Sequence, residues 1–323
     1  MADSSSERVV ERKKHSRLVG FAIRLVKEKP LGTAGAVITL LLLFTGIFAD
    51  FVAPYGMNEV NVEVATMAPS ARFWLGTDNL GRDMLSRVIF GARVSVIVGS
   101  VGATISTLLS VLIGMLSGYI GGKIDLIVQR LVDGIMCMPD LVLLIAIIAT
   151  IGRGLWIVII VLGIEWGIGG SRIIRGAVIS VKENVYIEAA KAIGCPRARI
   201  LTRHVLPNIM APLIINFSVQ VPALILTEAS LSFLGYGIAP PTPSWGGMLG
   251  ISGRTYMFKA PWMAVWPGVA LAIVVYGINM FGDAVRDILD PRLRGGIGRY
   301  GGRVKKEAAK KSEPSAPKGL TKQ

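Results

Sequence analysis

The sequence predicts an all-α membrane protein with six transmembrane helices. Three observations carry this. Of 323 residues, 52% are hydrophobic and only 17% charged, whereas soluble domains carry nearer a quarter. The apolar residues gather in runs of about 20 or more, the length a helix needs to cross roughly 30 Å of hydrocarbon. The charges lie between those runs and are shared unequally. With six spans and both termini on one side, 28 of the 35 Lys and Arg fall on that side and 7 on the other. That asymmetry marks cytoplasmic loops. A net charge of +14 placed this way, without interleaved aromatics, does not make a nucleic-acid face.

Taken in order, residues 1–30 form a cytoplasmic tail centred on Arg12-Lys13-Lys14, with a partly ordered amphipathic end. Residues 31–53 are the first transmembrane helix, about 34 Å long at 1.5 Å per residue. The run is too long and too far from the start for a cleaved signal peptide. Residues 54–93 are an external segment with Pro54, Pro69 and balanced charge. Within it Leu80, Met84, Leu85, Val88, Ile89 and Ala92 recur at helical spacing, opposite Arg82, Asp83, Arg87 and Arg93. This predicts an amphipathic interfacial helix with an Asp83 to Arg87 pair.

Residues 94–285 hold five more spans. The first, 94–120, carries Gly114-x-x-x-Gly118, a close-packing pattern for membrane helices. A glycine turn leads to 131–151, which contains Asp133, Pro139 and Asp140. Span 155–177 holds Glu165 among Gly163, Gly167, Gly169 and Gly170. Spans 208–234 and 266–285 complete the set, separated by an external loop stiffened by Pro240, Pro241 and Pro243. Residues 286–323 are a cytoplasmic tail whose Gly, Lys, Ala and Pro predict disorder at its end. Cys137 and Cys195 make no disulfide framework and read as reduced thiols.

The basic insert at 182–207 organises the rest. A helix is expected over 182–193, with small Ala189, Ala190 and Ala192 where another surface approaches. Gly194 suits the left-handed residue that ends a helix, and Pro196 the first turn of the next. That second helix, 197–205, presents Arg197, Arg199 and Arg203 before Leu206, and Pro207 stops it. Two short helices at an angle make a docking knob; an ordinary solvated loop is the plainer alternative.

These residues carry a resemblance. Glu188-Ala189-Ala190, then Gly194, then Leu206-Pro207 resembles the EAA loop of ABC-importer permeases, with His204 where that family has an aliphatic residue. Trp74-Leu75-Gly76-Thr77-Asp78, Gly81-Arg82-Asp83, Glu228-Ala229-Ser230 and Asp283-x-x-Arg286-Asp287 resemble, in the same order, the C-type permease subunit of dipeptide, oligopeptide and nickel importers. The resemblance spans about residues 73–292 and implies a type I permease bundle with a cytoplasmic coupling helix, in a prokaryotic inner membrane. It also implies partners: a homologous second permease, two ABC ATPase subunits carrying ATP and Mg, and an extracytoplasmic solute-binding protein. Closure of the ATPases would rotate the paired coupling helices and open the pathway outward. The cargo is then a peptide, or alternatively nickel or an oligosaccharide.

No Gly-x-x-x-x-Gly-Lys-Ser/Thr phosphate loop occurs, nor any zinc-protease, serine-hydrolase or cysteine–histidine spacing. The chain is therefore expected to be no enzyme, with no catalytic, cofactor-binding or metal-binding residues of its own. The acids within or beside the spans are pathway or gate candidates, since a bare charge there costs about 2.5–3.5 kcal/mol on insertion scales. Glu165, mid-span beside small residues, leads; an interhelical ion pair or hydrogen bond with Arg172 or a neighbour is its duller role. Asp133 and Asp140 lie near helix ends or pair with Arg130, and Glu228 faces outward. Through these acids an ion-gradient-driven secondary transporter is the reading of another class.

Overall fold

The computed structural model describes residues 17–289, and among these every regular element is helical. Arg12-Lys13-Lys14 and the tail expected to be disordered lie outside the described residues. Helix α1 (Arg17–Glu28) is the amphipathic end of the N-terminal segment, and its Leu25 is buried against Ala284 and Ile288 of the last helix.

Helix α2 (Pro30–Ile47) opens on a proline, which fits a first turn whose N–H has no partner anyway. It stops earlier than expected. Phe48 leaves helical geometry at φ −97, ψ 22, and a short turn, Ala49–Val52, follows. Glycines seat α2 on the last helix: a Cβ at Gly35 would lie 2.3 Å from the Gly277 carbonyl oxygen.

Helix α3 (Met84–Ile120) corrects the expectation of a separate interfacial helix, because it runs unbroken through 37 residues. At 1.5 Å per residue this is about 55 Å, longer than the hydrocarbon is thick. Its N-terminal end is clothed by protein, and Met84, Ile89 and Ala92 are buried there. Asp83 does not pair with Arg87. It caps the helix, accepting from Ser86 N at 2.7 Å, and Arg87 turns to Asp78 at 3.6 Å.

The span expected over 131–151 is broken. Helices α4 (Gly122–Met136) and α5 (Asp140–Ile151) meet at 88°. Pro139 supplies the cause: it has no N–H to donate and pushes the preceding residue away from helical geometry. Five helices are long and apolar enough to cross a membrane, or six when this bent pair counts as one span.

Helix α6 (Leu155–Lys182) runs parallel to α3, and glycines set their contact. A Cβ at Gly114 would lie 2.4 Å from Ser171 O, one at Gly163 2.8 Å from Ile105 Cγ2, and one at Gly167 2.9 Å from Leu109 Cβ. Beyond α6 come the short helices α7 (Val185–Ala192) and α8 (Arg197–Ile200), then the spans α9 (Met210–Phe233) and α10 (Trp262–Leu289). The C-terminal ends of α3 and α6 meet the short helices on one face. On the other face a collar of loops packs under two tryptophans. Trp262 Nε1 donates to Thr77 O and Trp245 Nε1 to Val88 O, each at 3.0 Å.

Candidate functional site

The 182–207 insert forms a two-helix knob, and its hinges are more specific than expected. Helix α6 extends to Lys182, so no single helix covers 182–193. Asn184 Nδ2 donates to Ser180 O and Val181 O at 3.1 and 2.9 Å, closing α6 and re-aiming the chain into α7. Gly194 takes φ +76. With it, Cys195 N donates to Ala190 O and Gly194 N to Lys191 O, each at 3.0 Å, the paired bonds of a left-handed helix terminus. Pro196 sits just outside α8 with extended geometry.

Pro207 does not stop the second helix. A π-helical turn, Leu201–Val205, follows α8 and runs into a helical turn at 206–208. The wider turn accommodates a proline that cannot donate to the carbonyl four residues back. The break falls two residues later, at Ile209, with φ −98 and ψ 6.

One face of the knob is bolted to the bundle and the other is bare. Ile187, Ala190, Ile200, Val205 and Ile209 are buried with Tyr119, Ile174, Val178 and Leu213. Ala190 thus serves packing rather than an outside surface. Glu188, Ala189, Ala192, Gly194, Pro196, Arg197, Arg199, Arg203 and Pro207 are exposed, and Leu206 is half-buried. Among them stand two large aliphatics that the motif did not flag, Val185 at 79% and Ile193 at 84% exposure. Exposed aliphatics ringed by charge on a protruding element mark an interaction surface. Their signal in the sequence was visible: both are apolar residues in the most basic loop of the chain.

The bolt itself is Tyr119, the penultimate residue of α3. Lys182 Nζ donates to its carbonyl oxygen at 2.7 Å. Lys182 and Lys191 lie 5.7 and 6.0 Å from its ring centroid. Next to it, Arg175 grips Asp125 of α4 through Nε and a terminal nitrogen at 2.6 and 2.5 Å. Polar contacts thus join the knob to α3 and α6, and α6 to α4.

The four acids separate. Asp133 pairs with Arg172 and, at 3.8 Å, with Arg130. Glu165 makes no ion pair with Arg172 in this arrangement. Its Oε2 is enclosed without a hydrogen-bond partner, on a side of α6 away from the glycines that meet α3. Asp140 opens α5 at the bend and is exposed. Glu228 lies near the C-terminal end of α9 and is 1% exposed, accepting from the Ser232 hydroxyl at 2.6 Å; it faces protein rather than solvent. Among the described residues no group of three or more His, Cys, Asp or Glu is placed to hold a metal.

Comparison with known proteins bears on this arrangement. Residues 110–295 match the family described as binding-protein-dependent transport system inner membrane component. The glutathione transport system permease protein GsiD of Escherichia coli is 37% identical over 273 residues, 84% of this chain and 90% of that protein. The oligopeptide transport system permease protein OppC of Bacillus subtilis is 35% identical over 270 residues, 83% and 88% of the two chains. The dipeptide transport system permease protein DppC of Alkalihalophilus pseudofirmus is 37% identical over 273 residues, again 84% and 90%. A solved structure of the inward-facing MetNI methionine ABC transporter superposes with a TM-score of 0.53 at 18% identity. The match covers 64% of this chain and 98% of that one, and shows the shared fold.

Proposed function

The chain belongs to the family of binding-protein-dependent transport system inner membrane components, and from that premise we propose that it imports peptides, driven by ATP hydrolysed on other subunits. It is a multi-pass permease subunit of an ABC importer. In this reading it forms the pathway with a homologous second permease, one of two ABC ATPases docks on the knob and the other on the second permease, and a solute-binding protein delivers cargo to the collar. Peptide cargo is supported by relatives named for glutathione, oligopeptide and dipeptide transport. The knob and both termini then lie in the cytosol, as the 28 to 7 division of basic residues favours.

One observation carries the proposal: the bare face of Val185, Glu188, Ala189 and Ile193, fixed to three bundle helices from behind. A groove on an ATPase would cover the two aliphatics and meet Arg197, Arg199 and Arg203 with acidic side chains. Force entering there reaches α3 and α6 through Tyr119, Lys182 and Lys191. Those helices press on one another through glycines, so they move as a pair. Glu165 of α6 and Asp140 at the α4/α5 bend would in this reading line the pathway toward the second permease.

Reconstitution in vesicles tests this. Uptake of a labelled dipeptide is expected to require ATP, both ATPases and the binding protein, and to survive collapse of the proton gradient by an uncoupler. Uptake that stops with the uncoupler while ATP is held constant would point instead to an ion-driven carrier.

A further inference from the structure

The collar side of the bundle encloses a cavity of about 100 Å³ that coupling does not use. Its wall carries three guanidinium groups, Arg82, Arg87 and Arg153, against one carboxylate, Asp78. Asp78 is already engaged. Its Oδ1 accepts from the backbone N–H of Leu80 and Arg82 at 2.8 and 3.0 Å, and its Oδ2 from Arg82 Nε at 2.6 Å.

Arg87 is 7% exposed, yet it reaches Asp78 Oδ2 only at 3.6 Å and the Met57 carbonyl at 3.4 Å. Arg153, in the turn between α5 and α6, stacks 5.5 Å from the Tyr236 ring centroid and makes no ion pair among the described residues. A guanidinium carries five N–H donors, and a buried donor left without an acceptor is costly. The neighbouring hydroxyls do not help. Ser232 donates to Glu228 at 2.6 Å, and Ser244 accepts from Gly247 N at 3.1 Å. Buried Arg87 thus lines this space with donors to spare, and exposed Arg153 stands at its mouth.

We propose that this cavity binds a carboxylate, carried by a small organic acid or the end of a short peptide. Planar guanidinium forks match the two oxygens of a carboxylate. One water needs roughly 10–15 Å³, so the space admits a carboxylate and a small aliphatic group, and excludes a nucleotide. Met248 and Met263 furnish apolar wall for that group. The site does not depend on the peptide reading, because carboxylate binding is measurable on the chain without transport.

The test is saturation-transfer NMR on the full chain in nanodiscs, with N-acetylalanine as probe and neutral N-acetylalaninamide as control. Signal is expected from the acid and not from the amide. It is expected to fall about tenfold in Arg153→Gln, the effect of losing one charge-assisted contact. Arg153 stands at the exposed mouth, so its loss leaves the collar intact; Arg87→Lys, which keeps the charge but removes the fork, is the second variant. A fall in either variant supports the site. Equal signals from acid and amide, or an acid signal unchanged in both variants, overturns it.

Discussion

Lys191 of the knob lies over the ring of Tyr119, 6.0 Å from its centroid, while Lys182 approaches the same ring at 5.7 Å. Two cations from two helices thus converge on Tyr119, the penultimate residue of the 37-residue helix α3. Each such contact is worth about 0.5–2 kcal/mol, enough to hold a joint and too little to hold the fold. Tyr119→Leu is expected to leave insertion normal and lower the number of peptides moved per ATP severalfold; Tyr119→Phe keeps the ring and should preserve it. Transport and ATP hydrolysis measured on one vesicle preparation give the ratio, and an unchanged ratio in Tyr119→Leu would remove Tyr119 from the coupling path.

Gly194 is needed for its backbone and not for space. Its φ is +76, and a Cβ there meets nothing within 4 Å. Gly194→Val therefore strains the chain by roughly 1–2 kcal/mol and shifts α8 against α7 without disturbing the bundle. Uptake is expected to fail in a protein that inserts and purifies normally, whereas Gly194→Asn, tolerant of this geometry, retains most activity. Full uptake and full substrate-stimulated ATP hydrolysis in Gly194→Val would contradict the docking role.

Glycines of the spans divide by what surrounds them. Gly114→Leu drives a side chain into Ser171 O and the Arg175 backbone, and is expected to lower the melting temperature sharply or block accumulation. Gly134 has open space around it, so Gly134→Ala should be neutral or stabilise α4 by up to about 1 kcal/mol. Thermal unfolding of both purified variants decides; equal behaviour would mean that α3 and α6 do not meet as described.

The Asp125 and Arg175 pair offers a double-mutant test. Their side chains are 14% and 32% exposed, and two bonds of 2.5–2.6 Å join them. Asp125→Asn or Arg175→Gln alone is expected to cost about 1–3 kcal/mol, and the two together clearly less than the sum. Strict additivity in thermal or denaturant unfolding would show that the groups do not interact.

Much of this was legible because lipid leaves the backbone few choices: a chain crossing hydrocarbon must satisfy its own N–H and C=O groups, so long apolar runs become helices. Gly114-x-x-x-Gly118 announced the α3/α6 contact, and Gly194 the end of α7. Misreadings came where a second element intervened. Apolar residues 84–92 looked like an interfacial stripe, because nothing local reveals that Trp245 arrives from a distant loop to cover them. Pro139 was visible, but an 88° bend depends on what α6 allows around it. Pro207 looked like a stop because a π turn upstream has no residue signature. The exchange of Arg172 from Glu165 to Asp133 is set by how α4 crosses α6, which sequence spacing does not encode.

The central claim is that the knob is a cytosolic seat for an ATPase, and Ile193 at 84% exposure is the place to ask. With Cys137 and Cys195 replaced by serine, Ile193→Cys is labelled with a membrane-impermeant maleimide. The account predicts no labelling in intact cells, rapid labelling in inside-out vesicles, and protection when the ATPase subunits are bound. Labelling in intact cells, or equal labelling with and without the ATPases, would contradict it.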